Sequence, residues 1–226
     1  MRFSAGWFGV LVAFAYATSA LAAPKRVLLT GFEKFGGSSD NSSRVMLEAL
    51  MKDLGKNPIP DTDVHRIILP VVWGKAEARL RAEVQMSRPE LVISFGEAGT
   101  AGFSLERTAW NRDDGYTPDN DGKYSSGVII EGAPDGIPSK LPLDAIAQSL
   151  EQGGFPHSFS DSAGGFLCNH IFFHLMSLAT TDGGPQRAGF VHVPMLGFTQ
   201  HSSYSELAAW GAPALRRIVE TAVQQP

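Results

Sequence analysis

Cysteine is nearly absent from this chain: among 226 residues there is one, Cys168. A lone cysteine excludes an internal disulfide, so the thiol is free, joined to another chain, or reactive. A surplus of positive charge is missing too, with 19 Lys and Arg against 23 Asp and Glu and a pI near 5.8. That balance gives no basis for nucleic acid or an anionic membrane surface as a partner. The sequence holds no internal repeat and no low-complexity tract, which removes solenoids and other arrays. Long apolar runs are scarce as well. The one near the start, from Trp7 to Ala17, falls short of the roughly 20 residues a membrane span needs.

What surrounds that run has its own pattern. Arg2 is the only charged side chain before Lys25, and the run is followed by Ala20-Leu21-Ala22-Ala23-Pro24. A basic start, a short apolar stretch and an A-x-A site form a secretory leader. Cleavage is expected after Ala22, because a cut after Ala23 would leave Pro24 directly past the scissile bond. This divides the chain into a signal peptide over residues 1–22 and one folded domain over residues 23–226. It also predicts an exported protein, periplasmic or secreted, with no stable membrane insertion after cleavage.

The remainder is globular in composition, 43% hydrophobic and 19% charged, and long enough for one substantial core. Lys25 to Thr30 reads as a strand, and a polar, Gly-rich loop runs from Gly31 to Asn41. Ser42 or Ser43 can cap a helix through Val45, Met46, Leu50 and Leu54. Val64 to Leu69 reads as a strand, Gly74 to Ser87 as a helix and Leu91 to Phe95 as a buried strand. This alternation predicts an α/β fold: a single-domain α/β/α sandwich around a mostly parallel, mixed open sheet. The middle is less regular. Phe103 to Asn111 and Val128 to Ile130 are candidate strands, and the prolines between Gly132 and Pro142 predict a loop. Helices follow at Leu143 to Gln152, Leu167 to Leu178 and Ser203 to Val223, with a strand at Gly189 to Val193.

The lone cysteine sits in a telling place. Ala163-Gly164-Gly165-Phe166-Leu167-Cys168-Asn169-His170 is a Gly-Gly turn leading into a helix, with Cys168 in its first turn. Unpaired N–H groups and the positive end of the helix dipole favour a thiolate there, and the same N–H groups can receive an oxyanion. A thiolate nucleophile needs a histidine. His65, His157, His170, His174, His192 and His201 are available. His170 and His174 lie about 200° and 240° around the helix from Cys168 and point elsewhere. His192 ends an apolar strand, where sites of open α/β sheets form, and is the best of the six. Among 23 acids the residues alone select no third member, and Glu106 reads no better than a surface partner of Arg107. No metal site is expected: the spacings fit no zinc pattern, and His170 and His174 lack the Glu of an H-E-x-x-H motif.

Several blocks together resemble the pyroglutamyl peptidase I family. They are Val27-Leu28-Leu29-Thr30-Gly31-Phe32-Glu33-Lys34-Phe35-Gly36-Gly37, Gly96-Glu97-Ala98-Gly99, and Leu105-Glu106-Arg107-Thr108-Ala109-Trp110-Asn111. Pro118-Asp119-Asn120-Asp121-Gly122, the cysteine block, and Gly189-Phe190-Val191-His192-Val193-Pro194 complete the set, in the family's order. The resemblance implies a cysteine exopeptidase that removes N-terminal pyroglutamate, with Cys168 as nucleophile, His192 as base and Glu106 as the orienting acid. Glu106 rests on the resemblance alone. Phe32 and Phe35 match the family's aromatic wall, Asn41 its polar partner, and Glu97 a substrate-pocket position that is often an amide. An uncharged lactam fits an apolar slot with one donor and one acceptor.

The implied partners are peptides with an N-terminal pyroglutamate. No cofactor is implied, and the family suggests a homo-oligomer. Departures from the pattern are a Thr100-Ala101-Gly102-Phe103 stretch one residue short and without the usual Gly-Arg after Gly99, no Pro after Asn41, and the leader itself. Two alternatives stay open on the residues: a catalytically silent binding protein for pyroglutamyl peptides, and a thiol amidase for a different blocked N-terminus.

Overall fold

The structure is a computed structural model that describes Met1 and residues 23–225; the expected signal peptide lies outside the described residues apart from Met1. The main sheet has six strands. They are β1 (Lys25–Phe32), β2 (Thr62–Leu69), β3 (Leu91–Ala98), β4 (Phe103–Glu106), β9 (His157–Ser160) and β10 (Arg187–Pro194), in the spatial order β2-β1-β3-β10-β4-β9. Every pairing in it is parallel except β10 with β4. Two small antiparallel ribbons sit apart from it, β5 (Thr108–Trp110) with β8 (Gly136–Pro138), and β6 (Asp113–Asp114) with β7 (Ser126–Gly127).

Strand alternation sorts the helices into two layers. Leu29, Ile93 and Val191 point to one face and share a core with α1 (Ser42–Leu54), α3 (Leu143–Gln152) and α5 (Tyr204–Gln224). Leu28, Val92 and Phe190 point to the other and pack with α2 (Lys75–Ser87) and α4 (Leu167–Leu178). Helix α1 turns Met46, Leu47, Leu50 and Leu54 inward from one stripe. Helix α4 is buried nearly all round because it lies between the sheet, α2 and the β5–β8 ribbon. Its Phe172 and Phe173 are fully buried, each contributing on the order of 1.5–3 kcal/mol by removal from water. Among the described residues no helix is long and apolar enough to cross a membrane. The architecture is the α/β/α sandwich with a mixed, mostly parallel sheet that the alternation predicts.

Local expectations need five corrections. Helix α1 is capped by Asn41, whose Oδ1 accepts from the backbone N–H of Ser43 at 2.9 Å, so neither serine is the cap. The strand expected from Phe103 to Asn111 breaks at Arg107, whose N–H donates to Ser160 O while its own carbonyl accepts from Ser139 N–H, both at 2.8 Å. The chain there leaves the main sheet and joins the ribbon. Val128 to Ile130 is not a strand, since the N–H groups of Ile129 and Ile130 go to the side-chain oxygen of Asn111 instead of a neighbouring strand. The Pro-rich stretch carries β8, and β9 is an edge strand that the polar run His157-Ser158-Phe159-Ser160 does not announce.

Candidate active site

Strand alternation also aims the candidate catalytic side chains. Val191 and Val193 face the α1 layer, so His192 between them faces α4. Phe103 and Leu105 likewise face the α1 layer, which turns Ser104 and Glu106 toward α4. Because β4 runs antiparallel to β10 with His192 opposite Ser104, Glu106 is the diagonal neighbour of His192 on the same face. Glu106 Oε1 lies 2.8 Å from His192 Nδ1, and both side chains are buried, 1% and 7% exposed. A carboxylate at that position makes Nδ1 the donor and leaves Nε2 to face another group. Glu106 Oε2 is buried with no partner among the described residues, so the carboxylate's one hydrogen bond goes to His192. Arg107 is no partner for it; the guanidinium lies over Phe159 at 4.4 Å and reaches Asp161 at 3.6 Å.

Cys168 is the second residue of α4. The turn before it uses Gly164 at φ +83°, and Gly165 is pressed against Asp114 so closely that a Cβ would come within 2.5 Å. The helix opens at Phe166 with no side-chain cap, which leaves its first N–H groups available. Cys168 and His192 line the same cavity, close enough for the charge of one to act on the other. Burial pushes the His192 imidazolium down, but the negative charge of Cys168 and then the bond to Glu106 outweigh it, holding His192 protonated up to about 10. The arrangement is a cysteine and an imidazolium backed by a carboxylate.

All seven residues singled out in the sequence line one cavity of about 390 Å³. Cys168, His192 and Glu106 sit at its chemical end; Phe32, Phe35, Asn41 and Glu97 form part of its wall. Phe35 packs on Phe166 at 4.9 Å between ring centres, and Phe166 on Trp73 at 5.2 Å, so the aromatic wall is braced from behind. Asn41 uses its Oδ1 on Ser43, which leaves the Nδ2 donors for the cavity. Glu97 Oε2 accepts from Ser42 N–H at 2.7 Å. Burial, more than that hydrogen bond, governs its charge and raises its pKa above the usual carboxylate range. No Lys or Arg among the described residues lines the cavity. The shortened stretch is closed locally by Thr100 Oγ1 donating to Gly102 O at 2.8 Å, and Thr100 also lines the cavity.

Sequence reasoning passed over Gly96. A Cβ there would lie 2.8 Å from Cys168 Sγ and 2.7 Å from the Phe190 ring, so the absent side chain is what gives the thiol its place. The available signal was a glycine inside an apolar strand, which marks close approach. Phe166 was also missed, although it precedes the helix directly. The other histidines lie outside the cavity: His65 pairs with Asp63, His157 with Phe155 O, His201 packs on Trp210, and His170 and His174 face α2.

The chain is similar to known proteins in sequence and in fold. Residues 25–221 match the family model described as pyroglutamyl peptidase. The pyrrolidone-carboxylate peptidase of Pyrococcus furiosus is 39% identical over 173 residues, covering 76% of this chain and 81% of that protein. The one from Bacillus thuringiensis is 34% identical over 203 residues, covering 88% and 92%. Among solved structures, a mutant pyrrolidone carboxyl peptidase from Pyrococcus furiosus superposes with a TM-score of 0.77 at 35% identity, covering 88% of this chain and 99% of that one.

Proposed function

The chain belongs to the pyroglutamyl peptidase family and is a cysteine peptidase that removes N-terminal pyroglutamate, and we propose that Cys168, His192 and Glu106 carry out the chemistry. The observation that supports these roles is the Cys168–His192–Glu106 relay at the end of an apolar cavity without cationic side chains. The lactam ring sits between Phe32, Phe35 and Phe166, with Asn41 Nδ2 and Glu97 as its polar partners. Burial raises the Glu97 pKa, and in its protonated form the carboxyl presents both a donor and an acceptor, as an amide does.

The Cys168 thiolate attacks the pyroglutamyl carbonyl carbon. The C–S bond forms, and the carbonyl electron pair moves to oxygen, where N–H groups of the first turn of α4 receive it. As the tetrahedral centre collapses, the C–N bond breaks and the imidazolium of His192 gives its proton to the leaving amine. Neutral His192 then takes a proton from water, whose oxygen attacks the thioester. The C–S bond breaks, releasing pyroglutamate and restoring thiolate and imidazolium. Glu106 holds the ring so that Nε2 faces the sulfur throughout.

The test is hydrolysis of a pyroglutamyl fluorogenic amide by reduced protein starting at Ala23, before and after iodoacetamide. Turnover that alkylation removes is expected, and with one cysteine it points to Cys168. Turnover that survives complete alkylation overturns these roles. A panel of other aminoacyl amides checks that the activity is confined to the pyroglutamyl group.

Export of the protein with cleavage after Ala22 belongs to the same reading. It is supported by Arg2, the apolar run from Trp7 to Ala17 and the Ala20-Leu21-Ala22 site. Expression of the full chain in a secreting host, followed by N-terminal sequencing, is expected to give Ala23 first in the exported fraction. An intact leader on protein confined to the cytosol overturns it.

A further inference from the structure

On the face of α4 turned away from the cavity, a second cluster of chemistry-bearing side chains is assembled. His170 and His174 are four residues apart on one side of α4, and Glu77 faces them from the first turn of α2. One ligand atom from each of the three lies within 4.8 Å of the others. We infer that Glu77, His170 and His174 bind a borderline divalent transition-metal ion such as zinc, clamping α2 to α4.

Three observations carry this. The first is orphaned atoms. Glu77 Oε2, His170 Nε2 and His174 Nδ1 are all buried with no hydrogen-bond partner among the described residues. Three such atoms in one place, two of them facing each other at 3.6 Å, offer a single cation a shared seat. A proton on His174 Nε2 leaves a lone pair at Nδ1. His170, between Asp113 and Glu77, carries a proton on each nitrogen in the metal-free protein, and an arriving cation releases the Nε2 proton to solvent and takes its place, so that all three atoms then offer lone pairs.

The second is spacing. His170 Nε2 lies 3.6 Å from Glu77 Oε2, too far for a hydrogen bond. Two ligands held about 2.0–2.1 Å from a tetrahedral zinc ion are about 3.3–3.5 Å apart. A pair at the 4.8 Å limit needs to close by about 1.4 Å, within the reach of side-chain rotation. Two histidines at i and i+4 plus a carboxylate form a common N₂O zinc set with a fourth position left for water.

The third is the support behind the ligands. His170 Nδ1 lies 3.0 Å from Asp113 Oδ2, and Asp113 in turn accepts from Ser125 Oγ at 2.7 Å. A carboxylate on the far nitrogen fixes the tautomer that presents Nε2 to a metal. The His170 ring is further held edge-on by Trp73 at 5.0 Å. The Glu77 side chain is 19% exposed, which gives the ion a way in. The sequence pattern excludes a site because it looks for the glutamate beside the histidines. Here the fold brings it from another helix.

The test is titration of zinc into full-length folded protein whose Cys168 has first been alkylated, so that the thiol cannot compete. Calorimetry is expected to show one ion per chain, and cobalt in the same place to give the visible absorption of a four-coordinate centre. Zinc is expected to raise the melting temperature relative to EDTA. His174→Ala is expected to weaken binding by more than about 100-fold and Asp113→Asn by about 10–100-fold. Melting of His174→Ala in EDTA at the parent temperature certifies its fold; if that variant melts early, Glu77→Gln takes its place. No binding by the parent protein, or binding that a folded His174→Ala or Glu77→Gln leaves unchanged, overturns the assignment.

Discussion

Helix α4 carries Cys168 and His170 two residues apart, and they serve two different regions. One faces the cavity, where His192 is bonded to Glu106; the other faces α2, where His170 is bonded to Asp113. Both histidines are buried, both give Nδ1 to a buried carboxylate, and both are held protonated well above the ordinary value. His192 rises to about 10 and His170 to about 9, in each case against the downward pull of burial. What separates them is the group at Nε2. For His192 it is the thiol proposed as the nucleophile; for His170 it is Glu77, a second carboxylate. A histidine–carboxylate pair is therefore a charged device of general use, and the third partner decides its chemistry.

The sharpest way to break the comparison is to remove what only one region has. Cys168→Ala is expected to lower kcat by more than about 10⁴-fold while the protein melts as before, measured by pyroglutamyl amide hydrolysis and circular dichroism. The same conservative change in each pair comes next. Glu106→Gln is expected to cost about 10²–10⁴-fold in kcat, because the amide no longer stabilises the imidazolium or fixes its tautomer. Asp113→Asn, its counterpart, is expected to change kcat by less than about threefold and to act on stability instead, by about 1–3 kcal/mol in a denaturant titration. Equal losses of kcat in the two variants would erase the distinction drawn here.

A smaller effect is expected from Gly96→Ala. Its Cβ would intrude to 2.8 Å from Cys168 Sγ, and a thiol displaced by a fraction of an ångström should lose about 100-fold in kcat with little change in the fold. The smallest effect concerns pH. Glu97 keeps its proton to higher pH than an ordinary carboxyl, so rising pH ionises it and places a negative charge in an apolar slot. KM is expected to rise by several-fold with pH through that ionisation, and Glu97→Gln to flatten the rise. His192 works in the opposite sense: in the free protein its imidazolium is present below about 10 and is lost above it, so kcat/KM should fall on that far alkaline side. A KM profile that is identical in the parent and Glu97→Gln would remove Glu97 from the pocket's polar pair.

Much of this was legible because it is local. Apolar alternation in Lys25–Phe32, Leu91–Ala98 and Arg187–Pro194 reports which residues face which layer, so His192 between Val191 and Val193 is aimed by sequence alone. The Gly164-Gly165 turn and the apolar run after it place Cys168 in a helix's first turn. Asn41 as the cap of α1 lies one residue outside the expected choice because Ser42 and Ser43 are cap residues too. The central segment was less legible. Its strands are two to four residues long, too short for periodicity to register, and β9 is polar at three of its four residues because it lies at an edge.

The sequence by itself determined the alternating strands and helices, the cysteine at a helix start and the histidine at a strand end, since each follows from spacing within one element. Only the tertiary structure decided which carboxylates meet those histidines. Glu106 reaches His192 across 86 residues through an antiparallel pairing of β4 with β10, and Glu77 reaches His170 from a separate helix. A single chain of residues carries no mark of such pairings. They are set when the two faces of the sheet are buried together, and a carboxylate's partner is fixed by where that burial leaves it.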